Sequence, residues 1–167
     1  FSFQSQDLSR YRVNVHLQRG NVGVVVRHVT AKIPSLDELG LPPVLKQLAF
    51  LKGGLVLTVG SAGSGKTTTL AAMLDYRNEN TAGHILTVED PIEYLHTHKK
   101  SLVTQREAGL DTASYDEALR RAMREAPNVI MIGEIRDRAS MQHALHYAES
   151  GHLCVSTLHA NNANQAV

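Results

Sequence analysis

Residues 53–68 read GGLVLTVGSAGSGKTT, an apolar run that turns through a glycine-rich loop into Lys66 and Thr67. No other stretch limits the possible fold so sharply. Residues 55–59 read as a buried strand, and residues 66–79, rich in Ala, Leu and Met, as a helix. A glycine-rich turn alone is only a tight loop. Between a strand and a helix, however, Gly60, Ser61, Ala62, Gly63, Ser64 and Gly65 let backbone N–H groups face phosphate oxygens. The helix N-terminus adds its partial positive charge. In this G-x-x-x-x-G-K-[ST] spacing Lys66 reaches the β- and γ-phosphates, the Thr67 hydroxyl ligates Mg²⁺, and Thr68 continues the first turn. The pattern implies a bound nucleoside triphosphate.

A chain of 167 residues buries one good core and part of a second. Hydrophobic residues at 43% and charged residues at 20% are ordinary for a soluble globular protein. No stretch approaches the roughly 20 apolar residues of a membrane span, and the opening FSFQSQ lacks the basic end and apolar centre of a signal peptide. Cys154, between Leu153 and Val155, reads as a small buried residue in a reducing compartment. A net charge of +1, no Trp and 5% aromatics offer neither general attraction to nucleic acid nor stacking platforms, so no nucleic-acid partner is expected.

Three regions are expected. Residues 11–17 and 22–29 alternate as half-buried strands joined by Arg19-Gly20-Asn21. Two strands are a marginal unit, so residues 1–32 are expected to close a small domain that begins earlier. Residues 33–52, broken at Pro34 and Pro42-Pro43, read as a linker with a short helical piece at 36–39 and a helix at 44–50. From residue 53 to 167 strands are expected at 55–59, 84–88, 128–132 and 153–157. Helices are expected at 66–79, 115–126 (opened by a Ser114/Glu117 capping box), 138–149 and from 162 onward, past the end of the chain. Such alternation implies an α/β domain with a parallel sheet covered on both faces, whose ligands lie beyond the carboxyl ends of the strands.

The second of these strands ends in Glu89-Asp90-Pro91-Ile92-Glu93. Three carboxylates within five residues form either a solvated turn or a place for a cation and a water that must lose a proton. The third strand runs into Gly133-Glu134-Ile135-Arg136-Asp137. An apolar strand ending in an acid is the second part of a nucleotide-hydrolysing site. Gly133 holds the usual position of a Mg²⁺-binding Asp, which leaves Glu134 to polarise the attacking water or hold Mg²⁺ through a water. Arg136 and Asp137 read equally as part of this acidic segment or as a local ion pair, worth little if exposed. His152 and His159 bracket the fourth strand, as structural histidines or as γ-phosphate sensing or inter-subunit relay. His143 and His146 share a helix face, and His96 and His98 alternate, but without a matching Cys or carboxylate set no zinc is expected. His98-Lys99-Lys100 reads as a solvated basic patch. Arg12, Arg19 and Arg27 either cover a sheet face with their stems or reach an active site as arginine fingers.

With these residues in hand, the chain resembles the PilT/PilU family of type IV pilus retraction ATPases, within the secretion/traffic ATPase superfamily, over essentially its whole length. The family's Walker A motif matches residues 60–67, its Asp box 87–93, its Walker B 129–134 and its His box 156–160. The stretch KKSLVTQRE at 99–107 resembles the retraction branch, and HANNANQA at 159–166 its PilU side. The resemblance implies a RecA-like P-loop ATPase core with a parallel sheet, preceded by part of a small PAS-like α/β N-terminal domain. It puts Lys66 and Thr67 on phosphates and Mg²⁺, Glu134 in catalysis, Glu89 and Glu93 in metal or water positioning, and His152 and His159 in the histidine-box roles. Arg12 and Arg27 would approach the nucleotide when the N-terminal domain closes on the core. The implied activity is Mg²⁺-dependent ATP hydrolysis driving pilus retraction and twitching motility by a cytoplasmic homo-hexamer at the inner face of the inner membrane. A pilus inner-membrane platform protein and a sister retraction ATPase are the implied partners. Two alternatives stand beside it: a nucleotide-binding accessory subunit of a sister motor, and a secretion or pilus-assembly ATPase.

Overall fold

In β2 (Arg10–Gln18) apolar and polar residues alternate, and it pairs with the valine-rich β3 (Asn21–Val29) as an antiparallel hairpin. The turn between them puts Arg19 and Gly20 at φ 52° and 79°, the left-handed pair that a tight hairpin requires. A short β1 (Ser2–Gln4) pairs with β2 and completes a three-stranded sheet. The computed structural model describes residues 2–5, 10–29 and 32–160; the helix expected from residue 162 lies outside them. Val13 and Val29 are buried, whereas Val15, Leu17, Val22, Val24 and Val26 are exposed. Val29 shares its face of the sheet with Arg27, which the register sets directly opposite Arg12.

Residues 33–52 pack on the core. Leu36 and Ala49 are each only 3% exposed, and Leu39, Leu41, Leu45 and Leu48 pack on the same cluster as Leu70 and Met73. The expected helical piece at 36–39 is a hydrogen-bonded turn, in which Leu39 N donates to Ser35 O and Gly40 N to Asp37 O. Ser35 and Glu38 exchange backbone-to-side-chain bonds of 2.7 and 3.1 Å like a capping box, but Gly40, at φ 62°, ends the turn at once. Pro43 then opens α1 (Val44–Leu48). The buried Arg77 guanidinium donates to Ala49 O and Leu51 O and ties the segment to the helix behind the glycine-rich loop.

Five strands, β4 (Gly54–Val59), β5 (Gly83–Glu89), β6 (Ser101–Glu107), β7 (Val129–Ile135) and β8 (Leu153–Leu158), form one parallel sheet in the order β4-β8-β7-β5-β6. Ile85, Val129, Met131, Leu153 and Val155 face α2 (Lys66–Asn80). Their neighbours Leu86, Ile130, Ile132 and Cys154 face α3 (Tyr115–Ala122) and α4 (Arg138–Glu149). The period of two thus fills both faces, as a buried parallel sheet demands. Burial pushes the Cys154 thiol up to about 12, which keeps it protonated and unreactive.

Two boundaries differ from expectation. The edge strand β6 falls on a run with no expected strand, because Thr104, Gln105, Arg106 and Glu107 hide its β pattern. The helix expected over 115–126 ends at Ala122 and tightens into a 3₁₀ turn, Met123–Glu125, before Ala126 at φ 47° and Pro127. Because Leu36 is packed rather than solvated, Leu36→Ala is expected to lower unfolding stability by about 2–5 kcal/mol. Urea denaturation checks this; a change within about 0.5 kcal/mol would return the segment to linker status.

Candidate active site

The carboxyl ends of all five strands lie at one edge of the sheet. Placing β8 between β4 and β7 sets the glycine-rich loop two strand spacings, roughly 10 Å, from the acidic strand. Ala62, Gly63, Gly65, Lys66, Thr67 and Thr68 line one side of the resulting cleft, whose volume is about 660 Å³. Gly63 and Gly65 sit at φ 74° and 89°, where any other residue would be strained. Lys66 Nζ donates to Gly60 O at 2.9 Å and Ser61 O at 2.8 Å, so the ammonium spans the loop. Gly60, Ser61 and Ser64 line a shallower depression beside it. Thr68 Oγ1 lies 2.9 Å from Tyr94 Oη, so this hydroxyl is directed at the loop after β5 rather than along the glycine-rich turn.

The opposite side is acidic. Glu89, at the end of β5, is only 4% exposed. Burial raises its pKa, against the opposing effect of hydrogen bonds from Thr87 Oγ1 (2.7 Å) and Gln105 Nε2 (3.2 Å), both to Oε1. Neutral donors only partly offset the loss of water around a carboxylate. Glu93 is exposed and lines the cleft with Arg12 and Arg27. Gly133 now has a packing reason as well: a Cβ there would lie 3.2 Å from Val88 O and 3.3 Å from Glu89 Cα. The absent Asp side chain therefore reflects how closely β7 approaches β5.

Glu134 is held on two sides. His159 Nε2 lies 2.8 Å from its Oε1, and Arg136 Nε lies 2.7 Å from its Oε2. Its backbone is held too, since Tyr115 Oη accepts from Glu134 N at 3.3 Å and lies 3.2 Å from Val88 O. Sequence reasoning missed Tyr115, which opens α3 and carries no motif signal. Burial pushes its phenol up to about 12, so it remains neutral.

Three expectations are corrected. His152 does not join the cleft. It precedes β8, whereas His159 follows it, and a six-residue parallel strand spans roughly 20 Å; its ring lies by Ser150 Oγ instead. Arg136 does not pair with Asp137: it reaches Glu134 and Asp90, while Asp137 caps α4 through Ser140. Lys99 is not part of a solvated patch, because its ammonium lies 2.8 Å from both Asp75 and Glu79 on α2. Among the described residues no group of three or more His, Cys, Asp or Glu is arranged to hold a metal. A magnesium ion needs none: it keeps several waters and takes one or two protein oxygens plus phosphates. Thr67 and Glu89 in the same cleft fit that role.

Comparison with known proteins identifies the cleft's family. The model of the family described as Type II/IV secretion system protein matches residues 12–167. The chain belongs to that secretion system protein family. It is 55% identical over 167 residues to the type IV pilus ATPase PilU of Pseudomonas aeruginosa, covering 100% of this chain and 44% of that protein. To the type IV pilus retraction ATPase PilT of the same organism it is 47% identical over 167 residues, covering 100% of this chain and 48% of the relative. A crystal structure of the pilus retraction motor PilT with bound ADP superposes with a TM-score of 0.94 at 50% identity, covering 98% of this chain and 48% of that one. The chain thus spans about half the length of the relatives it matches. The five-stranded parallel sheet is the fold of this secretion ATPase family.

Two measurements probe the cleft. Because the folded-state pKa of Glu89 is raised, ionisation opposes folding, and the penalty grows as pH rises from the ordinary carboxylate range toward the folded value. In protein free of metal and nucleotide, Glu89→Gln is therefore expected to raise the urea midpoint at pH 7, with the gain shrinking toward pH 4. Equal effects at both pH values would contradict the burial argument. Tyr115→Phe strips the bonds at Glu134 N and Val88 O and is expected to lower stability by about 1–3 kcal/mol in the same assay.

Proposed function

We propose that this chain carries the nucleotide-hydrolysing part of a type IV pilus retraction motor. One observation carries the reading: the glycine-rich loop, Glu134 and the arginines of a separate sheet converge on one cleft. The loop amides and Lys66 hold the triphosphate, exchanging the bonds that Lys66 makes to Gly60 O and Ser61 O for phosphate oxygens. Thr67 and Glu89 hold Mg²⁺, which when bound neutralises charge on the β- and γ-phosphate oxygens. Glu134 orients the attacking water and takes its proton as the bond from γ-phosphorus to the ADP oxygen breaks, giving ADP and inorganic phosphate. His159 fixes the Glu134 carboxylate from the β8 side.

Arg12 and Arg27 come from β2 and β3, outside the nucleotide-binding sheet, yet line the same cleft. Guanidinium groups facing transferring phosphoryl oxygens stabilise developing charge. This placement links hydrolysis to the position of the N-terminal sheet. The full reading is a homo-hexameric motor in the cytoplasm, at the inner face of the inner membrane, acting on a pilus platform protein with a sister retraction ATPase as companion. The names of the relatives support the pilus-ATPase part of it.

The test is ATP turnover and nucleotide binding by the full-length protein. Lys66→Ala is expected to abolish binding. Glu134→Gln is expected to keep nucleotide affinity within a few-fold and lower kcat by about 100-fold or more. Parent-like turnover by Glu134→Gln would remove Glu134 from the chemistry, and a parent protein that does not hydrolyse ATP would end the reading.

A further inference from the structure

The Arg136 side chain is about half exposed, yet it makes three bonds to two different strand ends. Nε meets Glu134 Oε2 at 2.7 Å, Nη1 meets Asp90 Oδ2 at 2.9 Å, and Nη2 meets Asp90 O at 3.1 Å. Glu134 belongs to β7, and Asp90 follows the last residue of β5. The guanidinium is thus a cross-link between the two acidic segments of the cleft. Its base is fixed as well: the loop carrying it runs straight into the reciprocal Asp137–Ser140 cap of α4, and Arg136 N donates to Ser140 Oγ at 3.3 Å.

An exposed ion pair adds little to stability, so the fork must be judged by what it orients. Glu134 has several rotatable bonds and a partly exposed carboxylate. Among the described residues its Oε1 meets only His159, a residue 51% exposed at the rim of the cleft. Without the second hold at Oε2 the carboxylate would swing about that single contact. A carboxylate oxygen carries two lone pairs, so a bond from Arg136 still leaves capacity for a water. The fork therefore orients Glu134 without consuming it. Lysine cannot reproduce this, because a single ammonium lacks the planar set of donors that spans a carboxylate and a carbonyl on another strand.

Resting on the ATPase reading above, we infer that Arg136 is a positioning residue for hydrolysis, holding the Glu134 carboxylate in register with the end of β5 through Asp90. Nucleotide is held by the loop on the far side of the cleft, so the effect falls on turnover rather than on binding.

The experiment is a double-mutant cycle on the full-length protein, with steady-state ATP kinetics, equilibrium nucleotide binding and thermal melting. Arg136→Lys is expected to lower kcat by about 10- to 100-fold with KM and nucleotide affinity within about 3-fold. Asp90→Asn, which keeps the Asp90 carbonyl, is expected to lower kcat less, again at unchanged KM. The double variant is expected to match Arg136→Lys alone, because both act through one cross-link. Multiplicative losses would separate Asp90 from Arg136 and overturn the inference. A loss carried by KM or affinity would show that Arg136 touches nucleotide and overturn it as well. If Arg136→Lys melts early, Asp90→Asn decides alone, and its parent-like kcat rejects the cross-link. Turnover in the parent with parent-like Arg136→Lys sinks this inference only; no turnover in the parent sinks it together with the ATPase reading.

Discussion

Burial of the parallel sheet on both faces is the constraint from which the rest follows. Ile130, Ile132 and Cys154 are covered by α3 and α4, and Val129, Met131 and Val155 by α2, so the strands can be joined only by crossovers that return to the same end. All five carboxyl ends therefore open at one edge. Chemistry gathers there because backbone groups at that edge are not consumed by the ladder. The glycine-rich loop, the Asp90 turn and the Glu134 segment are neighbours in space although they are dispersed along the chain.

Strand order then decides which groups meet. With β8 between β4 and β7, Thr157 Oγ1 donates to Gly133 O at 2.8 Å and Ser156 Oγ to Ile132 O at 2.7 Å, which fixes β8 to the strand that carries Glu134. His159, one step past β8, is thereby delivered to Glu134. On the other side of β7, the close approach at Gly133 brings β5 and its buried Glu89 alongside. The acidic wall of the cleft is thus a consequence of packing, and its charge is offset by basic groups on neighbouring elements: Lys66 and Arg136 in the core, Arg12 and Arg27 in the N-terminal sheet.

Much of this was legible in the sequence. Buried parallel strands appear as short apolar runs, so β4, β5, β7 and β8 and their helices were placed to within a residue or two, apart from the ends of β7 and α3. The glycine-rich loop carried its own chemistry. What escaped depended on distance or on one-dimensional punctuation. β6 is an edge strand with a polar outer half, and its pattern of burial shows only Ser101, Val103 and Glu107 inside. Pro34 and Pro42-Pro43 dominated residues 33–52, while irregularly spaced leucines did the packing. Arg136 was paired with its neighbour Asp137 because its true partner, Asp90, lies 46 positions away. Two histidines bracketing a strand looked equivalent, although a strand has two ends and only one of them faces the nucleotide.

The N-terminal sheet contributes charge to the cleft from outside the nucleotide-binding sheet. Arg12 and Arg27 face each other across an antiparallel pair, an arrangement that is destabilising for like charges. Glu93 lines a small space with both arginines. Negative charge in the cleft would relieve that repulsion, and would do so only while the sheet lies over the core. The position of the sheet and the anionic charge in the cleft are therefore linked quantities: whatever changes one shifts the other by the same free energy. In the proposed motor the loss of one phosphate per cycle changes that charge. The paired arginines are where such a change would be converted into displacement of the N-terminal sheet.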